Sequence, residues 1–180
     1  EIRDALRESK TGSISILDVG AGSGELLESA REMFTNTSLL VGVDINRSSV
    51  QTVASRADMD AVQADALTLP FADSSFDIVV CSLFLHHLND DAAVKLLGEM
   101  QRVARLRFVV IDLHRHALAY FLYRTFGRLV LQKFSLDDGS LSIRRSFRPD
   151  ELLALAVRAG VRNAEVRRRA AFRLVLSGRK

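Results

Sequence analysis

Ile16-Leu17-Asp18-Val19-Gly20-Ala21-Gly22-Ser23-Gly24 decides the reading of this chain. An apolar run that suits a buried strand ends in an acid, and three glycines follow at alternate positions. Glu25-Leu26-Leu27-Glu28-Ser29-Ala30 then takes up a helical pattern. Glycine reaches φ > 0 and lets a ligand approach the backbone. The start of a helix offers unpaired N–H groups. A strand, a glycine turn and a helix start are therefore the parts of a nucleotide-like ligand site. A dinucleotide fingerprint, G-x-G-x-x-G, needs its third glycine at position 25. Glu25 stands there instead, and the pattern is G-x-G-x-G behind Asp18. An acid at that place suits a ligand with a cationic end better than a pyrophosphate.

Outward from this stretch, strand and helix patterns alternate, which predicts a parallel sheet with helices on both faces. Strands are expected at 14–19, 39–44, 60–65, 76–82 and 108–112. Helices are expected from Glu25 to about 34, at 46–57 and at 90–103. Pro149-Asp150-Glu151 is a helix-start signature, and that helix should stop at Gly160. Residues 163–169 and 171–178 suit strands, with an antiparallel pairing at the sheet edge. Residues 1–10 look like the tail of a helix. The fold class is thus α/β, a doubly wound and mostly parallel sheet with an antiparallel edge strand. Residues 113–148 form an insertion longer than a connection requires.

Composition bounds the rest. The 180 residues are 48% hydrophobic and 26% charged, the balance of one globular domain. A single cysteine, Cys81, excludes a disulfide framework and a cysteine zinc site. The most apolar stretch, 117–134, carries Arg124, Arg128 and Lys133, a poor membrane span. No signal peptide is visible, and a cytoplasmic setting is the default expectation. The first residue is Glu1, so an N-terminal segment is expected to precede the sequence. Net charge is +3, but residues 141–180 hold 11 basic residues and three acids, +8 against −5 for the remainder. Such asymmetry suits RNA, a lipid headgroup, or simply a solvated basic face.

In an open α/β sheet, ligands bind beyond the carboxyl ends of the strands. The acids fall there. Asp44 ends the second strand, where a carboxylate can accept both hydroxyls of a ribose or cap the next helix. Asp65 ends the third, where it can accept from an adenine amino group or form a turn. His86 and His87 follow the fourth strand, and one of them can act as a base toward a phenol or enol, or be an ordinary buried helix-start residue. With Asp112 and His114 they can also suggest a metal, a weaker reading; no metal is assigned.

Val41-Gly42-Val43-Asp44, Gln63-Ala64-Asp65-Ala66 with Leu69-Pro70-Phe71, and Ser75-Phe76-Asp77-Ile78-Val79-Val80 complete a pattern. Together with the glycine stretch, they resemble successive motifs of class I S-adenosylmethionine (SAM) methyltransferases. Leu85-His86-His87-Leu88 is similar to the small-molecule branch. No Asn/Asp-Pro-Pro-Tyr run follows the fourth strand, unlike the amino-methylating nucleic-acid branch. The resemblance is strong over residues 14–112. It implies that SAM is the cofactor, with Asp18, Gly20, Ala21, Gly22 and Gly24 at its methionine end, Asp44 at the ribose and Ile45 beside it among the cofactor-binding residues. It further implies Asp65 and Ala66 at the adenine, Cys81 and Ser82 along the floor, and His86 on the acceptor side. Residues 113–148, rich in Phe121, Tyr123 and Phe126, loosely resemble methyltransferases encoded near type III polyketide synthases. The expected acceptor is small and largely apolar: phenolic, quinone-like or polyketide. The insertion is a candidate lid over it or a surface for peripheral membrane contact. Nucleic acid is the less favoured partner. The alternatives are an RNA methyltransferase using the arginine-rich end, and a non-catalytic module that binds SAM or a partner. Oligomeric state and the methylated atom are not specified by these residues.

Overall fold

The computed structural model describes residues 13–34, 37–117, 142 and 145–180. In chain order the elements are β1 (Ile14–Val19), α1 (Glu25–Met33), β2 (Thr37–Asp44), α2 (Arg47–Ala54), β3 (Asp60–Gln63) and β4 (Phe76–Ser82). A 3₁₀ turn (Leu85–His87), α3 (Asp90–Val103), β5 (Ala104–Leu113), α4 (Pro149–Arg158), β6 (Glu165–Arg169) and β7 (Arg173–Arg179) follow.

Among the described residues, seven strands form one sheet in the order β3-β2-β1-β4-β5-β7-β6. The contacts from β3 through β5 are parallel, and β7 runs antiparallel to both β5 and β6. The antiparallel strand expected near the edge is β7, one place in, with β6 outside it. The order reverses between β1 and β4, the position at whose carboxyl ends open α/β sheets bind ligands. This is the Rossmann-like α/β architecture expected.

Strands covered on both faces read as continuous apolar runs. β1 is buried at every position, and β4 at all but its last. Alternate residues serve two cores. Leu17, Val79 and Cys81 pack with Leu96, Leu97, Met100, Leu152 and Leu155 of α3 and α4. Ile16, Ile78 and Val80 pack on the other face with Leu27, Ala30 and Val53 of α1 and α2. Local signals set the helix ends. The Asn46 side chain accepts from Ser48 N at α2, and the Asn89 side chain accepts from Ala92 N at α3. Glu151 accepts from Arg148 N at α4, whose end is followed by Gly160 at φ 80°.

Two polar devices pin the frame. The Asp77 carboxylate accepts from the Ser15 N–H and hydroxyl and from Arg105, joining β4 to β1. The Arg102 guanidinium meets Glu99 through two nitrogens and donates to the carbonyls of Leu69 and Phe71. That second device fastens the β3–β4 loop to α3. No helix among the described residues is long and apolar enough to cross a membrane. The expected helix tail at 1–10 and the aromatic stretch with Phe121, Tyr123 and Phe126 lie outside the described residues.

Candidate active site

The glycine turn crosses from β1 to β2. Gly20 N and Ala21 N both donate to Val43 O, at 2.8 and 3.0 Å, and Gly24 N closes the turn on Ala21 O at 2.8 Å. Gly20, Gly22 and Gly24 all have positive φ, at 74°, 53° and 79°. Their surroundings differ. A Cβ on Gly20 would come within 2.9 Å of the Phe84 ring, and one on Gly24 within 3.0 Å of Val53. A Cβ on Gly22 would meet nothing within 4 Å. Gly20 and Gly24 are therefore needed for packing, whereas Gly22 faces open space.

Asp44, at the end of β2, holds this turn. One carboxylate oxygen accepts from Gly22 N at 3.0 Å, the other from Asn46 N at 2.8 Å. An ionised carboxylate has about four acceptor positions, so two remain for ligand hydroxyls. Ile45, beside it, is 70% exposed. Gln63 donates from its side-chain amide to Ile45 O at 3.1 Å, which fixes this apolar residue at the rim. One Asp65 oxygen accepts from Leu67 N at 2.8 Å and shapes the turn in which Ala66 is buried. The other is available.

Asp18 is the unusual group. It is 2% exposed, and its Oδ1 has no hydrogen-bond partner. Burial, then the nearby Asp44 charge, pushes its carboxyl up to about 7. A buried acceptor without a donor is costly. A cationic ammonium brought by a ligand supplies the missing donor and charge. Asp18, the two free acceptor positions of Asp44 and the open face of Gly22 thus fit an amino-acid-bearing nucleoside such as SAM.

The far wall is made by the end of β4. Cys81 is fully buried, and Ser82 is half-buried. Burial first, then the Asp18 and Asp112 carboxylates, push the Cys81 thiol well above its ordinary value. It stays a neutral thiol, unsuited to nucleophilic chemistry. Leu83 has φ 54° and is 40% exposed, with its N–H donating to Ile111 O at 2.8 Å. A left-handed leucine is uncommon. It turns the chain sharply and sends Phe84 under Gly20.

His86 lies in the 3₁₀ turn and is only 5% exposed. Its Nδ1 is 2.7 Å from Asp112 Oδ1, and its backbone N–H donates to Asp112 Oδ2 at 3.1 Å. Asp112, near the end of β5, is fully buried. The His87 ring sits 4.1 Å from that of His86 and is exposed. Partial desolvation, then the neighbouring His86, hold His87 below its usual value, so it is neutral at pH 7. Among the described residues, no three His, Cys, Asp or Glu gather closely enough to hold a metal ion.

Sequence spacing brings Asp18, the glycines, Asp44 and Asp65 to one end of the sheet, as the structure does. It does not reveal Gln63, Leu83 and Phe84 as supports, or Asp112 as the partner of His86. The apolar run Leu83-Phe84-Leu85 after a strand is the signal for Leu83 and Phe84, and Asp112 stands beside the histidines only in the metal reading.

Residues 16–107 match the family model of a methyltransferase domain. The chain is similar to a demethylmenaquinone methyltransferase of Roseiflexus sp., at 32% identity over 79% of this chain and 65% of that protein. It is also similar to a ubiquinone biosynthesis O-methyltransferase of Ralstonia nicotianae, at 28% identity over 84% of this chain and 64% of that protein. The chain therefore spans just under two thirds of the length of these relatives. In fold it is similar to the plantazolicin methyltransferase solved with SAH, with a TM-score of 0.76, 12% identity, and coverage of 98% of this chain and 80% of that one. The matched segment runs from β1 into β5 and contains the glycine turn and the acids Asp18, Asp44 and Asp65, so the chain belongs to the methyltransferase domain family, with the class I SAM-dependent methyltransferase fold.

Proposed function

We propose that this chain transfers a methyl group from SAM to a carbon or oxygen of a small, largely apolar acceptor of the phenol or quinol class. The observation that carries the cofactor half is the buried, partnerless Asp18 oxygen at the head of the glycine turn. Asp18 pairs with the ammonium, and Asp44 accepts from the ribose hydroxyls. Ile45 and Ala66 enclose the adenine, and Asp65 accepts from its amino group. Cys81 and Ser82 line the floor through their backbone. SAM, when bound, supplies an electrophilic methyl on a sulfonium. The residues around it mainly align the acceptor, and alignment can contribute roughly 7–11 kcal/mol.

His86 is the base. An ionised carboxylate cannot donate, so Asp112 holds the proton of a neutral imidazole on Nδ1 and leaves Nε2 as an acceptor. Nε2 takes the proton of an acceptor hydroxyl, and the resulting phenolate is nucleophilic at oxygen and at the ring carbon ortho to it. Two relatives named for quinone biosynthesis, one an O-methyltransferase, support this acceptor class. An RNA acceptor is less well supported, because two of the C-terminal arginines are engaged by acids of the chain itself. Arg158 pairs with Asp91, and Arg167 pairs with Glu165.

The test is methyl transfer from labelled SAM to demethylmenaquinol and to simple catechols. Labelled product with either acceptor supports the reading. Label appearing only in added RNA overturns it.

A further inference from the structure

Two residues beyond Asp112, the chain builds a second cleft of about 320 Å³ that the methyl-transfer reading does not use. Its walls carry His114, Arg115 and His116 after β5, Arg148 and Asp150 at the start of α4, and Arg168 on β6. Backbone bonds stitch these pieces together. His114 N donates to Phe172 O at 2.9 Å, and Arg115 N donates to Phe147 O at 2.8 Å. The volume is at the lower end of small-molecule sites, which run from about 300 to 1,000 Å³.

The charge in this cleft is not balanced. Arg115 is paired with Glu151. Among the described residues, no ion pair joins the Arg148 or Arg168 guanidinium to a carboxylate, and Asp150 is the one acid on the rim. The His114 and His116 rings stand 5.3 Å apart. Burial, then Arg168 and His116, hold His114 below its usual value. Guanidinium groups of this kind exclude a metal cation and leave an apolar ligand without reward. Guanidinium and imidazole donors converging from three elements match an anion with several acceptor oxygens.

We propose that this cleft is an oxyanion site that takes a phosphate group, held by Arg148 and Arg168 and completed by His114 and His116. It accounts for part of the basic excess of residues 141–180 without a nucleic acid. The phosphate belongs to a soluble molecule or to a lipid headgroup, and both carry the same chemistry. An anion also favours protonated His114, so affinity rises as pH falls through the His114 titration.

The test uses the full chain and inorganic phosphate, read by the side-chain NMR signals of His114 and His116 at constant ionic strength. Phosphate should move the His114 titration to higher pH. Arg148→Ala and Arg168→Ala should each weaken phosphate about tenfold, the size of one lost charged hydrogen bond. Both side chains are exposed, so the variants keep the fold, and a thermal melt checks it. In a second arm, flotation compares phosphatidic acid vesicles with phosphatidylcholine vesicles. Capture by phosphatidic acid that both variants abolish assigns the lipid source. Phosphate binding without capture assigns the soluble one. If phosphate moves His114 no more than chloride does, or both variants bind it like the wild type, the proposal is overturned. None of these readings depends on methyl transfer.

Discussion

His86 Nδ1 and Asp112 Oδ1 lie 2.7 Å apart across 26 residues of sequence, and both are buried. Ser82 and Ile111 are partners in the β4–β5 ladder. The turn after β4 therefore delivers His86 onto the end of β5. An imidazole held at two points, ring and backbone, is oriented rather than merely packed.

This pairing predicts separable effects. His86→Ala should lower the rate of methyl transfer by about 10²–10⁴-fold, the usual worth of a positioned base. Asp112→Asn should lower it too while leaving the imidazole in place, because an amide can offer an N–H to Nδ1 and favour the wrong tautomer. Binding of SAH by calorimetry should stay within a few-fold of wild type in both. Normal single-turnover rates with a lowered melting temperature would restrict the pair to a structural role.

The glycines predict a second contrast. Gly22→Ala meets no neighbour, so its folding cost is the left-handed backbone alone, about 1–2 kcal/mol. Its methyl occupies the open face and should abolish most SAH binding. Gly20→Ala adds a clash with Phe84 and should melt at a lower temperature than Gly22→Ala. Chemical denaturation of both variants beside SAH titration separates packing from cofactor contact. Equal stability losses would show that Gly20 and Gly22 play the same part.

Much of this geometry is legible in the residues because each signal is local. β1, β4 and α3 begin and end where the apolar runs, Asn89 and the first-turn acids put them. β5 is different. Its expected start is Phe108, but α3 passes directly into extended backbone at Ala104, with no glycine or proline to mark the change. β2 likewise starts at Thr37 rather than Leu39, and β3 ends at Gln63 rather than Asp65. α2 stops at Ala54, short of the expected Ala57. Asp18, Asp44 and Asp65 could be found because each stands within two residues of a strand's carboxyl end. The His86–Asp112 contact and the seat of Gly20 on Phe84 depend on sheet register, which no short window of sequence contains.

Arg102 predicts an effect at a distance from the chemistry. It ties Glu99, Leu69 O and Phe71 O together, and Glu99 accepts from Leu69 N at 2.8 Å. Arg102→Ala should cost about 2 kcal/mol of stability, the scale of lost charged hydrogen bonds. The Arg102 bonds hold the Glu99 carboxyl below its ordinary value. This stabilisation is therefore present above the ordinary carboxylate range and is lost as pH falls through the folded value. Urea melts of wild type and Arg102→Ala should converge in acid. A gap that persists there would assign the effect to the carbonyl contacts alone.

Asp18 should show the opposite sign. Its carboxyl is pushed up to about 7, so between the unfolded value near 3.8 and about 7 the folded protein binds a proton that the unfolded chain does not. Stability of the ligand-free protein therefore falls as pH rises through this window. Asp18→Asn, which cannot ionise, should remove that slope and be more stable than wild type above pH 7. The same replacement removes the charge that meets a ligand ammonium, so SAH binding should weaken. Wild-type affinity for SAH should itself rise with pH and level off above about 7, because binding requires the ionised carboxylate. Melts and calorimetric titrations on either side of neutrality measure both trends on one sample. An affinity for SAH that ignores pH, together with an Asp18→Asn variant that binds like the wild type, would remove Asp18 from the cofactor site.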